Sequence, residues 1–316
     1  MNSETHVREG QTFEGASLAA RYASFVKLPH TLFALPFAGM GAILASWEYR
    51  DQVTPAAIGW IVLAFTAARF AAMGFNRIVD RRFDALNSRT ARRELPAGTL
   101  SLTQAVTAVA VAAVTFMVAA FMLNPLCAML APLALAWIFL YSYTKRFTAW
   151  AHHVLGLALG IAPAGAFLAI SGVWPEPWYA LPVLAAAVMF WVAGFDVIYA
   201  LQDVDFDRTH GLRSIPARVG TAGALRRARA FHGISFILFA AIAATGMLPA
   251  GWFYVAAVGI MAGLLVYEHR LIGSGDSAFL DLRRIDRAFF HANVGVSTTF
   301  CVFTLLDRLL GGTLPF

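Results

Sequence analysis

Acidic side chains form two clusters in this 316-residue chain, one in the segment 76–84 and one in the segment 196–207. Each cluster ends a long apolar run and is followed by an arginine-rich polar stretch. Oxygen-bearing side chains four residues apart lie on one face of a helix. Carboxylate and amide oxygens suit Mg²⁺, which takes one or two carboxylates together with water and phosphate oxygens. The two clusters therefore predict a divalent-metal site shared with an anion such as diphosphate.

The candidate metal ligands are the side chains that repeat at helical spacing, namely Asn76, Asp80, Asp84, Asp203 and Asp207. One such cluster alone is equally well explained as a solvated helix end whose acids pair with neighbouring arginines. Two sets of carboxylates that face each other repel strongly unless cations lie between them. Two clusters at equivalent positions therefore favour metal binding.

The polar segments near the clusters supply candidates for binding the anion, namely Arg89, Arg93, Tyr141, Lys145, Arg146 and Arg213. Arginine binds phosphate through two parallel hydrogen bonds, whereas lysine acts as a point charge. The alternative for each cation is a topology signal at the membrane surface. The segment 141–146 is the strongest candidate because its two charges lie at a helix end between aromatic residues.

A second layer of polar residues lies deeper in the apolar runs. Arg69 precedes Asn76 by seven residues and shares its helical face, so it either pairs with an acid such as Asp196 or binds an anionic group of a substrate. Asp196 and Tyr199 fall on the same helical stripe as the second cluster. His152 and His153, by contrast, are predicted to lie at the membrane interface.

Composition predicts the elements that position these residues. The chain is 59% hydrophobic and 13% charged, whereas soluble proteins contain about 25% charged residues. This composition predicts an all-α, polytopic membrane protein. The chain must cross as helices, because lipid satisfies no backbone hydrogen-bonding groups. A span needs about 20 apolar residues. Nine runs qualify: 28–47, 55–77, 103–123, 125–143, 153–170, 178–202, 229–247, 250–268 and 287–309.

The distribution of basic residues predicts the orientation. With the N-terminal segment 1–27 in the cytoplasm, 21 of the 24 Lys and Arg residues fall in cytoplasmic segments, Arg50 and Arg308 lie outside, and Arg69 lies within a helix. This bias follows the positive-inside rule, so the net charge of +6 does not indicate nucleic-acid binding. We expect a cytoplasmic (inner) membrane location, cytoplasmic acidic clusters and an external C-terminus.

The span pattern also bears on domain organisation. Residues 28–316 are expected to form one transmembrane domain. A weak internal repeat relates 28–150 to 153–247, because in both halves an acidic pair is followed by a basic stretch and then by a new helix. In the first half, Ser101 and Gln104 are spaced for a capping box at the start of that helix.

Three motifs, in segments 76–98, 141–146 and 196–216, together resemble the UbiA superfamily of intramembrane prenyltransferases, and the resemblance covers most of the chain. Segments 27–38 and 194–203 resemble the branch labelled 4-hydroxybenzoate polyprenyltransferase. That branch includes enzymes of the futalosine menaquinone route, which act on 1,4-dihydroxy-6-naphthoate. One departure favours the latter group: Arg77 stands where many ubiquinone-pathway members have Asp.

The resemblance implies that Mg²⁺ held by the two clusters clamps the diphosphate of a polyprenyl donor, with the isoprenoid tail in a lateral, lipid-facing opening. An aromatic acid then attacks the allylic cation, in a step of ubiquinone or menaquinone biosynthesis. Asp196, Arg69 and Tyr199 are the implied catalytic residues: Asp196 holds or deprotonates the phenol and Arg69 receives the carboxylate. No protein partner is implied.

Two alternatives remain open at this stage. The first is prenyl transfer to another acceptor, such as haem, a chlorophyll precursor or a glycerol lipid. The second is an ion-coupled transporter, which would place its acids near the bilayer midplane in broken helices. Most acids here lie at helix ends, which disfavours the transporter.

Overall fold

A computed structural model describes residues 17–27, 34–273 and 292–311, and within these ranges the regular elements are all helical. The all-α prediction is confirmed. Eight of the described helices are long and apolar enough to cross a bilayer. The helices are α1 (Leu18–Phe25), α2 (Leu35–Ala45), α3 (Pro55–Leu86), α4 (Leu102–Leu123), α5 (Pro125–Thr144), α6 (Ala151–Ser171), α7 (Ala180–Tyr199), α8 (Val204–Thr209), α9 (Ile215–Thr245), α10 (Trp252–Ile272) and α11 (Asn293–Leu306).

Four long helices begin at a polar cap residue. The side chains of Thr54, Ser101, Asn124 and Ser214 each accept a hydrogen bond from a backbone N–H in the first turn that follows. These caps satisfy donors that have no partner inside the helix. Ser101 and Gln104 form the predicted capping box. Local chemistry therefore fixes where α3, α4, α5 and α9 start.

Two helices extend well beyond their predicted spans. α3 continues to Leu86 instead of ending near residue 77, and α9 begins at Ile215 instead of residue 229. The added turns are polar, so hydropathy alone excludes them although the chain remains helical. α9 bends at Gly220, where φ is 72°. Within the predicted span 28–47 the described helix is α2, and residues 28–33 lie outside the described part of the chain.

The second acidic cluster does not follow one continuous α-helix, contrary to the prediction. α7 ends at Tyr199, and the 3₁₀ turn Ala200–Asp203 leads into the short helix α8. A 3₁₀ turn has three residues per turn, so it rotates the residues that follow it relative to an α-helical stripe. Asp203 is the N-cap residue of α8, and Asp207 is buried within that helix.

Close contact between α6 and α7 depends on two glycines four residues apart, Gly156 and Gly160. A Cβ atom at Gly156 would lie 2.4 Å from the Met189 carbonyl oxygen, and one at Gly160 would lie 2.3 Å from the Ala185 carbonyl oxygen. Small residues at this spacing allow helix backbones to approach closely in membranes, where packing contacts drive association. The pair therefore sets the distance between α6 and α7.

Asp307 fastens the end of α11 to the start of α10. Asp307 is 1% exposed, and its carboxylate accepts hydrogen bonds from the backbone N–H groups of Gly251, Phe253 and Tyr254 at 3.0, 2.9 and 2.7 Å. An acid at a helix N-terminus satisfies the first donors and interacts favourably with the helix dipole. The position is a buried structural cap, well separated along α9 and α10 from the acidic clusters.

Candidate active site

A polar cavity of about 240 Å³ lies where α3, α5 and α7 end. Thirteen of the fourteen predicted site residues line it: Arg69, Asn76, Asp80, Asp84, Arg89, Arg93, Tyr141, Lys145, Arg146, Asp196, Tyr199, Asp203 and Asp207. The lining contains seven basic and five acidic side chains. The two acidic clusters therefore face one chamber, whose wall is positive on balance.

The first cluster continues one turn further than the sequence analysis predicted. Asn76 donates to Asp80 Oδ2 at 2.9 Å, within α3. Asn87, the C-cap residue of α3, donates to Asp203 Oδ1 at 2.9 Å and so connects the first cluster to the second. Asn87 was missed, although it follows Asp84 by three residues and continues the same helical stripe.

Asp203 is held by Arg89 in a two-pronged ion pair. Arg89 donates from Nη2 to Asp203 Oδ2 at 2.6 Å and from Nε to Oδ1 at 3.0 Å. The same guanidinium donates to the Tyr199 hydroxyl at 3.3 Å and lies 5.6 Å from the centre of its ring. Bidentate geometry of this kind is typical of arginine with carboxylate or phosphate.

The two acids of the first cluster, Asp80 and Asp84, also pair with arginines. Arg93 Nη1 lies 2.7 Å from Asp84 Oδ1, and Arg146 Nη2 lies 3.1 Å from Asp80 Oδ1. Arg146 also donates to the Val79 carbonyl at 3.0 Å, which fixes its position over the end of α3. Loop arginines therefore neutralise acids of both clusters.

Two carboxylate oxygens test whether a metal ion fits. Asp84 Oδ2 and Asp207 Oδ2 are buried and have no hydrogen-bond partner among the described residues. Unsatisfied buried oxygens of this kind suit a hard cation. In the described ranges no three His, Cys, Asp or Glu side chains converge on one point. The residues thus fit Mg²⁺, whose remaining ligands would come from water and a bound anion.

Lys145 lies between the two clusters, directly after α5. Burial alone would lower its pKa, but the carboxylates of Asp207, Asp196 and Asp203, with Asp80, outweigh burial and raise the pKa above the ordinary lysine value. The ammonium group therefore stays charged at neutral pH. A bound anion could therefore contact this ammonium group while the carboxylates remain beside it.

Arg213 is the one predicted site residue that does not line the cavity. Its side chain is exposed and donates to the Phe147 carbonyl at 2.8 Å, while its backbone N–H donates to the Lys145 carbonyl at 2.7 Å. Arg213 thus joins the loop before α9 to the loop after α5. In this structure its guanidinium is used in that loop contact, outside the polar cavity, so anion binding by Arg213 stays a prediction.

His152 and His153, which were predicted to lie at the membrane interface, are 0% and 8% exposed, so both are buried within the protein at the start of α6. His153 packs against the rings of Trp150 and Phe231. His152 Nδ1 lies 2.6 Å from Asp196 Oδ2. The sequence does not indicate which of these two adjacent histidines contacts an acid, because both lie at the start of the same apolar run.

An apolar cavity of about 490 Å³ adjoins the polar one. Its walls come mainly from alanine, leucine and aromatic side chains of α3, α5 and α6. Arg69 and Tyr141 line both cavities, and the Tyr141 hydroxyl donates to the Ala72 carbonyl of α3 at 3.3 Å. A molecule with a charged head and a long apolar tail would fit across this junction.

Comparison with known proteins agrees with this geometry. The model of the "UbiA prenyltransferase family" matches residues 34–294. The chain belongs to the UbiA prenyltransferase family. It is therefore a membrane-embedded transferase, and the family predicted from the three motifs is confirmed.

Two relatives and one solved structure are similar to this UbiA-family enzyme over most of its length. A 4-hydroxybenzoate octaprenyltransferase of Methylobacillus flagellatus is 32% identical over 266 residues, which is 80% of this chain and 85% of the relative. One from Klebsiella pneumoniae is 31% identical, covering 75% of this chain and 83% of the relative. The apo structure of a UbiA homolog from Aeropyrum pernix K1 has a TM-score of 0.77 and 33% identity, covering 88% of this chain and 98% of that one.

A UbiA homolog from Archaeoglobus fulgidus, solved with GPP and Mg²⁺ bound, has a TM-score of 0.70. The match covers 92% of this chain and 100% of that one, at 17% identity. At this identity the likeness concerns the fold alone.

Proposed function

We propose that this enzyme transfers a polyprenyl group from polyprenyl diphosphate to a hydroxylated aromatic carboxylate, with Mg²⁺ as cofactor. The acceptor is 4-hydroxybenzoate or 1,4-dihydroxy-6-naphthoate, and the product feeds ubiquinone or menaquinone synthesis. One observation carries the proposal: a cavity with two acidic clusters and seven basic side chains adjoins an apolar cavity of about 490 Å³. A polyprenyl diphosphate has the matching head and tail.

The charges of the polar cavity support a diphosphate rather than a bare metal ion as the recognised group. Basic side chains outnumber acidic ones in its wall, so the net charge of the wall does not favour binding of a metal cation without an accompanying anion. A diphosphate that arrives with Mg²⁺ would contact Lys145 and the loop arginines through its oxygens and the acidic clusters through the metal. Asn76, Asp80 and Asp84 would hold Mg²⁺ ions on one side of the diphosphate, and Asp203 and Asp207 would hold them on the other.

The reaction needs the bond between the prenyl carbon and the diphosphate oxygen to break, with the electron pair leaving on diphosphate. Mg²⁺ held by the two acidic clusters would supply Lewis-acid stabilisation of that charge. Lys145, Arg89 and Arg93 would neutralise the same charge, and such preorganised groups commonly dominate a barrier of this type. The aromatic ring then attacks the allylic carbon ortho to its hydroxyl, and a proton leaves for Asp196.

The residues at the junction of the cavities are assigned to the acceptor. Arg69 would bind the carboxylate of the aromatic acid, because it is the basic residue placed where the apolar wall meets the polar chamber. Asp196 and Tyr199 would face the phenol. The names of the relatives from Methylobacillus flagellatus and Klebsiella pneumoniae support 4-hydroxybenzoate, whereas Arg77 after Asn76 favours the naphthoate.

The proposed setting is the bacterial inner membrane, with the N-terminus and the polar cavity on the cytoplasmic side. The bias of Lys and Arg towards these segments supports it. A water-soluble aromatic acid would then enter from the cytoplasm, while the prenyl donor enters from the bilayer.

The experiment is a product screen by mass spectrometry. Purified protein with Mg²⁺ and a polyprenyl diphosphate is given 4-hydroxybenzoate and 1,4-dihydroxy-6-naphthoate side by side. We expect diphosphate release and a carbon–carbon bonded product with one of them. Asp80→Ala and Asp203→Ala should abolish turnover without unfolding, whereas Asp205→Ala, at an exposed acid of the same segment, should retain it. Wild-type rates in the first two variants would refute the metal assignment, and product with neither acid would refute the acceptor class.

A further inference from the structure

His152 connects three elements although no motif includes it. It lies in the first turn of α6 and is 0% exposed. Its Nδ1 is 2.6 Å from Asp196 Oδ2 on α7. On the other side of the ring, the backbone N–H of Ile215, the first residue of α9, donates to His152 Nε2 at 3.3 Å.

These two contacts determine which ring nitrogen carries the proton. A backbone N–H can only donate, so His152 Nε2 must accept and cannot itself hold a hydrogen. A neutral imidazole then has its single hydrogen on Nδ1. His152 therefore donates to Asp196 Oδ2, which requires Asp196 to accept at that oxygen.

Helix packing holds the ring in this position. His152, Gly156 and Gly160 are spaced four residues apart and share one face of α6. The two glycines bring the α6 backbone against the carbonyl oxygens of Met189 and Ala185 on α7. His152 is the next residue on the face of α6 that contacts α7. The contact between the two helix backbones, and not a flexible loop, therefore sets the distance from its imidazole to Asp196.

We propose that His152 is a positioning residue that fixes Asp196 as the proton acceptor of the reaction. This inference rests on the proposed function. His152 occupies Oδ2 and keeps its Nδ1 proton throughout, so Oδ1 is the oxygen that faces the acceptor. The proton released when the ring is prenylated passes to Oδ1, and the C–H or O–H electron pair stays with the aromatic product.

The first test is independent of catalysis. Protein labelled with ¹⁵N-histidine is studied by NMR without substrate or metal, and the His152 signals are assigned by their loss in His152→Asn. We expect a protonated Nδ1 and a bare Nε2 at neutral pH, with the Nδ1 proton strongly downfield. That proton should move upfield in Asp196→Asn. A proton on Nε2, or on both nitrogens, would overturn the proposal even if the enzyme prenylates the predicted acids.

The second test is kinetic and uses a matched pair of variants. His152→Leu removes the donor, whereas His152→Asn places an amide N–H near the position of Nδ1. We expect kcat to fall about 100-fold or more in the leucine variant, with KM for polyprenyl diphosphate within about twofold of wild type. The asparagine variant should recover most of the loss. Equal losses in both variants, or a loss confined to the KM of the donor, would contradict the assignment.

A double-mutant cycle separates this inference from the proposed function. If His152 acts through Asp196, His152→Leu should cost almost nothing further in an Asp196→Asn background. Independent, multiplicative losses would refute the inference. The cycle is measured with whichever acceptor the wild-type enzyme prenylates, so a wrong acceptor in the product screen leaves its reading unaffected.

Discussion

Gly156→Ala tests whether the spacing of α6 and α7 controls the chemistry. The new Cβ would lie 2.4 Å from the Met189 carbonyl oxygen and 3.1 Å from the carbonyl carbon. These are backbone atoms, which cannot rotate away as a side chain does. An ordinary carbon–oxygen contact needs about 3.5 Å, so the two helices must separate by about 1 Å near Gly156.

The expected magnitude follows from the next turn of α6. His152 lies one turn before Gly156 on the same face, so its 2.6 Å hydrogen bond to Asp196 would lengthen to about 3.6 Å and be lost. A hydrogen bond to a charged group is worth about 1.5–3 kcal/mol, which corresponds to about 10- to 100-fold in rate if the bond acts in the transition state. Overpacking itself costs about 1–3 kcal/mol of folding free energy.

The assay combines thermal unfolding of the purified protein with the rate of prenyl transfer under saturating donor. Gly233→Ala is the control, because a Cβ there has nothing within 4 Å; it should leave both the unfolding temperature and the rate near wild type. Gly156→Ala should lower both. Wild-type stability and rate in Gly156→Ala would refute the argument that this contact sets the helix spacing.

Three further predictions follow from individual side chains. Arg69→Ala should raise the KM of the aromatic acid by about tenfold or more; steady-state kinetics with each substrate varied checks this, and a change confined to the donor KM would count against it. Lys145→Met should weaken the binding of Mg²⁺-diphosphate, measured by calorimetry. Because the pKa of Lys145 is raised above the ordinary lysine value, its ammonium group stays charged up to that value, and binding by the wild-type protein should show no alkaline loss below about pH 10. Asp307→Asn should cost about 2 kcal/mol of stability without changing either KM, and unchanged unfolding would contradict its role as a cap.

The sequence was enough to predict the helical class and most of the charged residues that line the polar cavity. Carboxylates are expensive in an apolar chain, so their helical spacing in segments 76–84 and 203–207 marks residues that must face a shared polar chamber. Arg69 was found by the same reasoning, from its register with Asn76. The sequence predicts such positions because the residue type and the helical spacing both indicate a side chain that faces the polar chamber.

Other features depend on contacts between distant segments, and the sequence does not specify those. Nothing local distinguishes His152, which meets Asp196, from His153, which packs among aromatic rings. Arg213 had the charge expected of an anion ligand, yet the Phe147 carbonyl takes its guanidinium. The sequence also did not predict the 3₁₀ turn at Ala200–Asp203, because helical periodicity does not show where an α-helix changes to a 3₁₀ turn.

The arginine–acid pairs explain how the polar cavity tolerates its charges before a substrate binds. Arg89 holds Asp203 and Arg93 holds Asp84, at 2.6 and 2.7 Å, so acids of both clusters are neutralised without metal. In the proposed function, Mg²⁺ and diphosphate together would offer each partner a replacement, since the metal would bind the carboxylates and the phosphate oxygens would bind the guanidinium groups. Either component alone would leave one set of charges unpaired in a buried site, which is costly. The charge arrangement therefore favours binding of the metal and the diphosphate as one unit.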